Sequence, residues 1–194
     1  MIYPILAYGH PVLREKGITV NAEEPGLDQL ISDLWQTMQN ANGCGLAANQ
    51  IGKNLQLFII DSRSTFLQLD KDDRCHFFEG DDSGTEETFI NATIQSRGVK
   101  SWTDDEGCLS MPGFSHPVTR PWSVEITYYN RNFELQHRNF SGITARMIQH
   151  EHDHTQGILY PDHLPPLTRK LLAAKLKRIR DGKVRTTYPL AFYR

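Results

Sequence analysis

Residues 150–154 read His-Glu-His-Asp-His. On a helix, four residues make about 1.1 turns, so His150 and His154 stack on one face. That is the spacing two imidazoles need to share one metal ion. Glu151 is rotated from His150 by about 100° and can reach a metal-held water without being a ligand itself. The run ends a segment, Ser141 to about Gln156, in which Ile143, Met147 and Ile148 should bury one side. Gly157 is a helix stop. His152 lies on another face and reads as a surface group or a neighbour of the site.

Two imidazoles do not complete a catalytic metal site, and a third protein ligand is expected. The downstream sequence excludes the common completions. No Glu follows Glu151, and the position at which an extended HExxHxxGxxH pattern needs a histidine is Tyr160. His163 falls three residues too late. The third ligand is therefore expected upstream. Cys108, flanked by Gly107 in Glu106-Gly107-Cys108-Leu109-Ser110, is the leading candidate, because a thiolate binds a divalent metal strongly. Cys44 and Cys75 compete for the role. Cys44 sits in a glycine-rich loop and reads as a small pocket wall; Cys75 sits in a polar stretch.

The rest of the chain reads as one α+β domain over 1–194, with mostly antiparallel strands around the central metal-binding helix and a helix towards each end. Leu27, Leu30, Ile31, Leu34, Trp35 and Met38 mark a helix over 26–41, stopped by Asn42 and Gly43. The small residues of 43–52 suggest a close backbone approach. Strands are expected at 55–61, 88–96, 124–131 and 133–140, the last two as a hairpin. Residues 106–114 read as a loop. Residues 62–88 read as an acidic inserted loop, mobile at the surface. The basic segment 165–194 contains a helix over 166–181 with Leu167, Leu171, Leu172, Leu176 and Ile179 as its apolar face. A net charge of -2 gives no reason to expect direct nucleic-acid readout. Three cysteines argue against a disulfide framework. With no signal-like or membrane-spanning stretch, the cytoplasm is the expected compartment.

Three motifs coincide: Gly-Cys-Gly-Leu-Ala-Ala-Asn-Gln at 43–50, Glu-Gly-Cys-Leu-Ser at 106–110 and Gln-His-Glu-His-Asp-His at 149–154. Their order and spacing resemble peptide deformylase, from Tyr-Pro-Ile-Leu near the N-terminus to Gly-Ile-Leu-Tyr at 157–160. The resemblance implies a bacterial hydrolase of protein biosynthesis that removes the N-formyl group from nascent formyl-methionine peptides, releasing formate. It implies Cys108, His150 and His154 as metal ligands, with water as the fourth. Glu151 is implied as general acid–base, and Gln50 with the Leu109 backbone N–H as donors to the formyl oxygen. Gly45 would pair with the substrate backbone, while Cys44, Ile143 and Met147 would line the methionine pocket. Arg120 and Asp153 would form a supporting ion pair. The implied metal is Fe(II), with Zn, Ni or Co accepted. Ribosome docking through Lys175, Lys177, Arg178 and Arg180 is a further implied partner contact.

The chain departs from the family pattern at Asn49, where many members have proline, and at Thr155, often leucine. Residues 113–116 lack an arginine that some members use to meet the substrate backbone. The rival readings are a metallopeptidase, and a catalytically weak or silent relative that binds peptides. The retained Glu151 and Gln50 argue against the second, since a structural site needs neither.

Overall fold

The computed structural model describes residues 1–193. In chain order the elements are β1 (Ile5–Leu6), α1 (Leu27–Asn40), β2 (Gly45–Ala47), β3 (Leu57–Asp61), α2 (Ser62–Gln68), α3 (Lys71–Phe77) and β4 (Glu86–Arg97). They continue with β5 (Ser101–Cys108), β6 (Met111–Pro121), β7 (Ser123–Tyr129), β8 (Leu135–Ser141), α4 (Gly142–Thr155), α5 (Pro166–Arg180) and β9 (Leu190–Ala191). A five-stranded antiparallel sheet has the order β2-β3-β4-β7-β8. β5 and β6 form a separate antiparallel hairpin, and β1 pairs in parallel with β9. This is the expected α+β architecture, with α4 at its centre.

β3 explains the layering. Its side chains alternate between faces. Leu57 and Ile59 join Ile31, Leu34 and Met38 of α1 on one side. Phe58 and Ile60 join Ala145 and Ile148 of α4 on the other. A strand covered on both faces must be apolar throughout, which is why 57–60 is an unbroken hydrophobic run. Each such fully buried side chain stabilises the fold by about 1.5–3 kcal/mol. A third cluster packs α5 through Leu172, Leu176 and Ile179 against Leu6, Met111 and Val118.

α1 stops where expected, with Asn42 in the left-handed region at φ 51°. Three expectations need correction. Residues 62–88 are not a plain loop: they hold α2 and α3, each capped by an aspartate. Asp61 accepts from the Ser64 N–H at 2.8 Å and Asp70 from the Asp73 N–H at 2.9 Å. Acidic residues that read as solvated charge are thus helix caps. The segment is tied to α4 by a 2.8 Å hydrogen bond from Thr144 to Ser62. Residues 106–114 are not a loop but the tip of the β5–β6 hairpin, where Cys108 pairs with Met111. The strands escaped notice because their faces carry Glu106 and Arg120 where an apolar alternation would be sought. Finally, Leu167 and Leu171 are 71% and 75% exposed. They lie about 100–140° round the helix from Leu172, outside the contact.

Candidate metal centre

α4 and the β5–β6 hairpin meet across a polar layer. α4 brings His150, Glu151 and His154; the end of β5 brings Cys108. The Cys108 Sγ and the imidazole nitrogens of His150 and His154 all lie within 4.8 Å of one another, the one such cluster of three among the described residues. Cys108 Sγ and His154 Nε2 are 3.2 Å apart. Two ligands of a tetrahedral ion at ordinary Zn–S and Zn–N lengths stand roughly 3.5 Å apart. One soft thiolate and two imidazoles therefore fit a divalent cation in both spacing and chemistry. Cys44 and Cys75 stand outside this group.

The His150 ring is held from behind. His150 Nδ1 is 3.0 Å from Glu106 Oε2, leaving Nε2 free for a ligand role. Glu106 also takes a two-pronged contact from Arg120 at 2.6 and 2.9 Å, and Arg146 Nη1 at 2.7 Å. Arg120 continues to Asp153 at 2.8 Å, and Asp153 to His163 Nε2 at 2.7 Å. Burial alone would raise the Glu106 carboxyl, yet the hydrogen bonds from His150 and Arg120 hold it well below the usual carboxylate range. His154 is pushed well below its ordinary value by burial and then by the charge of His150, so it is a neutral, ligand-ready imidazole. Its backbone carbonyl accepts from Asn49 Nδ2 at 2.5 Å.

On the open side, burial pushes Glu151 up to about 7, against the pull of His150. Gly45 of β2 abuts it: a Cβ there would lie 2.5 Å from Glu151 Oε1. The close approach expected of 43–52 is this one. Gln50 is oriented by its neighbours. Its Oε1 accepts the Ala47 N–H at 2.8 Å, so the amide N–H₂ faces the site, 3.2 Å from Ser110 Oγ and 3.6 Å from Cys108 Sγ. A cleft of about 690 Å³ joins Cys44, Gly45, Gln50, Leu109, Ile143, Met147 and Glu151. Cys44 stands exposed in the cleft wall.

A family model described as polypeptide deformylase matches residues 2–170. A peptide deformylase of Flavobacterium johnsoniae is 39% identical over 192 residues, covering 99% of this chain and 96% of its own length. One from Cytophaga hutchinsonii is 39% identical over 194 residues, covering 99% and 98%. Among solved structures, a peptide deformylase from Legionella pneumophila superposes with a TM-score of 0.78 at 31% identity, covering 96% of this chain and 99% of that one. The Arabidopsis thaliana peptide deformylase 1B in complex with an inhibitor does so at 0.78 and 28%, covering 93% and 91%.

The chain belongs to the peptide deformylase family. It is a hydrolase that removes the formyl group from N-terminal formyl-methionine. The cleft and the polar layer behind it bring together every site residue that the resemblance implied. They also use residues it did not. Glu106 lies two positions before Cys108, but the β5–β6 ladder shifts register between them, so strand alternation does not lead from one to the other. Arg146 lies four before His150, on the same helix face, and that period could have found it. His163 and Tyr188, whose OH donates to the Leu109 carbonyl at 2.8 Å, carry no local signal. α2, expected in a surface loop, supplies Ser64, Thr65 and Gln68 to the cleft wall. His152 turns from the centre, half-buried, its pKa lowered by burial. Thr155 is buried with its hydroxyl bonded to the His152 carbonyl at 2.7 Å, so the departure from leucine is satisfied locally.

Proposed function

We propose that Cys108, His150 and His154 hold one divalent cation, natively Fe(II), with Zn, Ni or Co able to replace it. The clustering of these three ligands beside Glu151 and the inward-facing Gln50 amide carries the reading. When bound, the cation supplies Lewis acidity and a water acidified towards neutral pH. Glu151 takes the proton released in attack on the formyl carbon and returns it to the leaving nitrogen, after which formate departs. The Gln50 amide and the Leu109 N–H donate to the formyl oxygen as charge builds on it. The Gly45 backbone pairs with the peptide, and Cys44, Ile143 and Met147 receive the methionine side chain. Arg120 and Asp153, with Glu106, keep the ligand rings in place.

The test is formate release from formyl-Met-Ala-Ser by protein purified without oxygen, with metal analysis. Glu151→Ala should cost about 10²–10⁴-fold in kcat with metal still bound. Retained activity in that variant, or cleavage of unformylated Met-Ala-Ser, rejects the reading. Analysis that finds another metal as the dominant occupant replaces Fe(II).

The reading takes 1–194 as a single domain acting in the bacterial cytoplasm on nascent chains. No helix among the described residues is long and apolar enough to cross a membrane. Ribosome contact is assigned to Lys175, Lys177, Arg178 and Arg180, all exposed on α5. Ribosome pelleting unchanged by conversion of all four to Glu removes that contact from the reading.

A further inference from the structure

A second cavity, of about 550 Å³, adjoins the catalytic cleft and shares Pro112, Gly113, Phe114 and Arg185 with it. Four cations surround it: Lys175 and Arg178 of α5, then Lys183 and Arg185 of the segment beyond. No carboxylate lines it among the described residues. The nearby acid, Asp181, is engaged elsewhere, 2.5 Å from Lys177 and 3.8 Å from Arg180. Lys177 and Arg180 are thus paired with Asp181, while Lys175 and Arg178 face the groove, the Lys175 Nζ 5.7 Å from the centre of the Phe114 ring. Four positive charges around a concavity with no carboxylate in its lining attract anions more strongly than the same charges spread over a convex surface.

The groove is built on an anchored frame. Beyond Gly182 the chain turns back across the molecule. It is fixed by the Tyr188 hydroxyl on the Leu109 carbonyl at 2.8 Å, then by the pairing of β9 with β1. This strap places Arg185 in the common wall of cleft and groove. The cleft lining, unlike that of the groove, includes carboxylates, Asp61 and Asp105 among them.

We propose that this basic groove is an extended subsite for the substrate residues downstream of formyl-methionine, and that it favours acidic side chains there. The proposal rests on the deformylase reading. With the methionine side chain at Ile143 and Met147, the rest of the peptide must leave through an open side of the cleft. The side bounded by Gly113, Phe114 and Arg185 opens into the groove. An extended chain advances about 3.3 Å per residue, so a few residues beyond methionine reach it.

The experiment compares formyl-Met-Ala-Ser, formyl-Met-Ala-Ser-Glu-Glu and formyl-Met-Ala-Ser-Lys-Lys on the metal-loaded enzyme. At low salt the Glu peptide should exceed the Lys peptide roughly fivefold in kcat/KM, through KM, and the gap should shrink as salt rises. Arg178→Glu with Lys183→Glu should invert the order. Arg169→Glu with Lys170→Glu, the same charge change on α5 outside the groove, should leave it as it was; circular dichroism and melting confirm that both double variants fold. Equal kcat/KM for the two pentapeptides, with formyl-Met-Ala-Ser turned over normally, overturns the subsite. An order that shifts equally in both double variants overturns it too, since net charge then explains the effect. Failure to deformylate even the tripeptide removes the deformylase reading, and the subsite with it.

Discussion

α4 has two faces that work by different physics. One packs Ala145 and Ile148 against Phe58, Ile60 and Phe89 of the sheet. The other sets Arg146, His150 and Asp153 against Glu106 and Arg120 of the hairpin. The apolar face is tolerant of direction: any well-filled packing stabilises it. The ionic face stabilises less for the charges it buries, since each must be taken out of water. What it provides is direction, because the bond to Glu106 fixes where His150 points. A metal helix needs both, one to stay in place and one to aim.

That contrast can be broken from either side. The largest effect is expected for Glu106→Ala, which leaves Arg120 and Arg146 buried without their shared partner. It should cost about 3–5 kcal/mol in unfolding free energy and about 10–100-fold in metal affinity. Denaturant melts and competitive chelation measure the two; unchanged metal affinity would show that the ionic face does not aim the ligands. Next comes Ile148→Ala, which should cost about 2–5 kcal/mol through the cavity it leaves. Metal affinity and kcat per bound metal should stay near wild type below the melting range. If metal affinity falls as far as in the Glu106 variant, the two faces are not separable. Arg146→Lys is a milder probe. Arg146 also holds the Val118 and Trp102 carbonyls at 2.9 and 3.1 Å and stacks 4.3 Å over the Trp102 ring, which a lysine cannot reproduce. A loss of about 1.5–3 kcal/mol is expected by thermal melting; a neutral result would assign the whole ionic face to Arg120. The smallest change is Thr144→Val, which removes the bond to Ser62. It should cost about 1 kcal/mol and increase amide exchange in 62–68 without altering exchange in β4.

The same division explains what could be read in the sequence. The α1 face and the β3 run were legible because burial imposes a period of 3.6 or 2 on apolar residues. His150, His154 and Glu151 were legible because metal chemistry imposes its own period on a helix. Cys108 could be favoured only by excluding downstream completions until the three motifs were taken together. Glu106 escaped because a buried carboxylate looks, residue by residue, like surface charge. The helices within 62–88 escaped for the same reason, since Asp61 and Asp70 serve as caps. Tyr188 was beyond reach in another way: its partner Leu109 is joined to it only by the tertiary path of the strap.

That strap bears on how the molecule assembles over time. Ile5 pairs with Leu190, and Leu6 with Ala191. Synthesis makes these partners far apart in time, so β1 must wait, its ladder unfinished, until Leu190 and Ala191 emerge. Pairing at such separation is slow to find compared with the hairpins. In refolding, the Ile5 and Ala7 amides, which bond to the Pro189 and Ala191 carbonyls, should gain exchange protection after those of β7 and β8. The tip that carries Leu109 would then acquire its Tyr188 clasp at the close of folding.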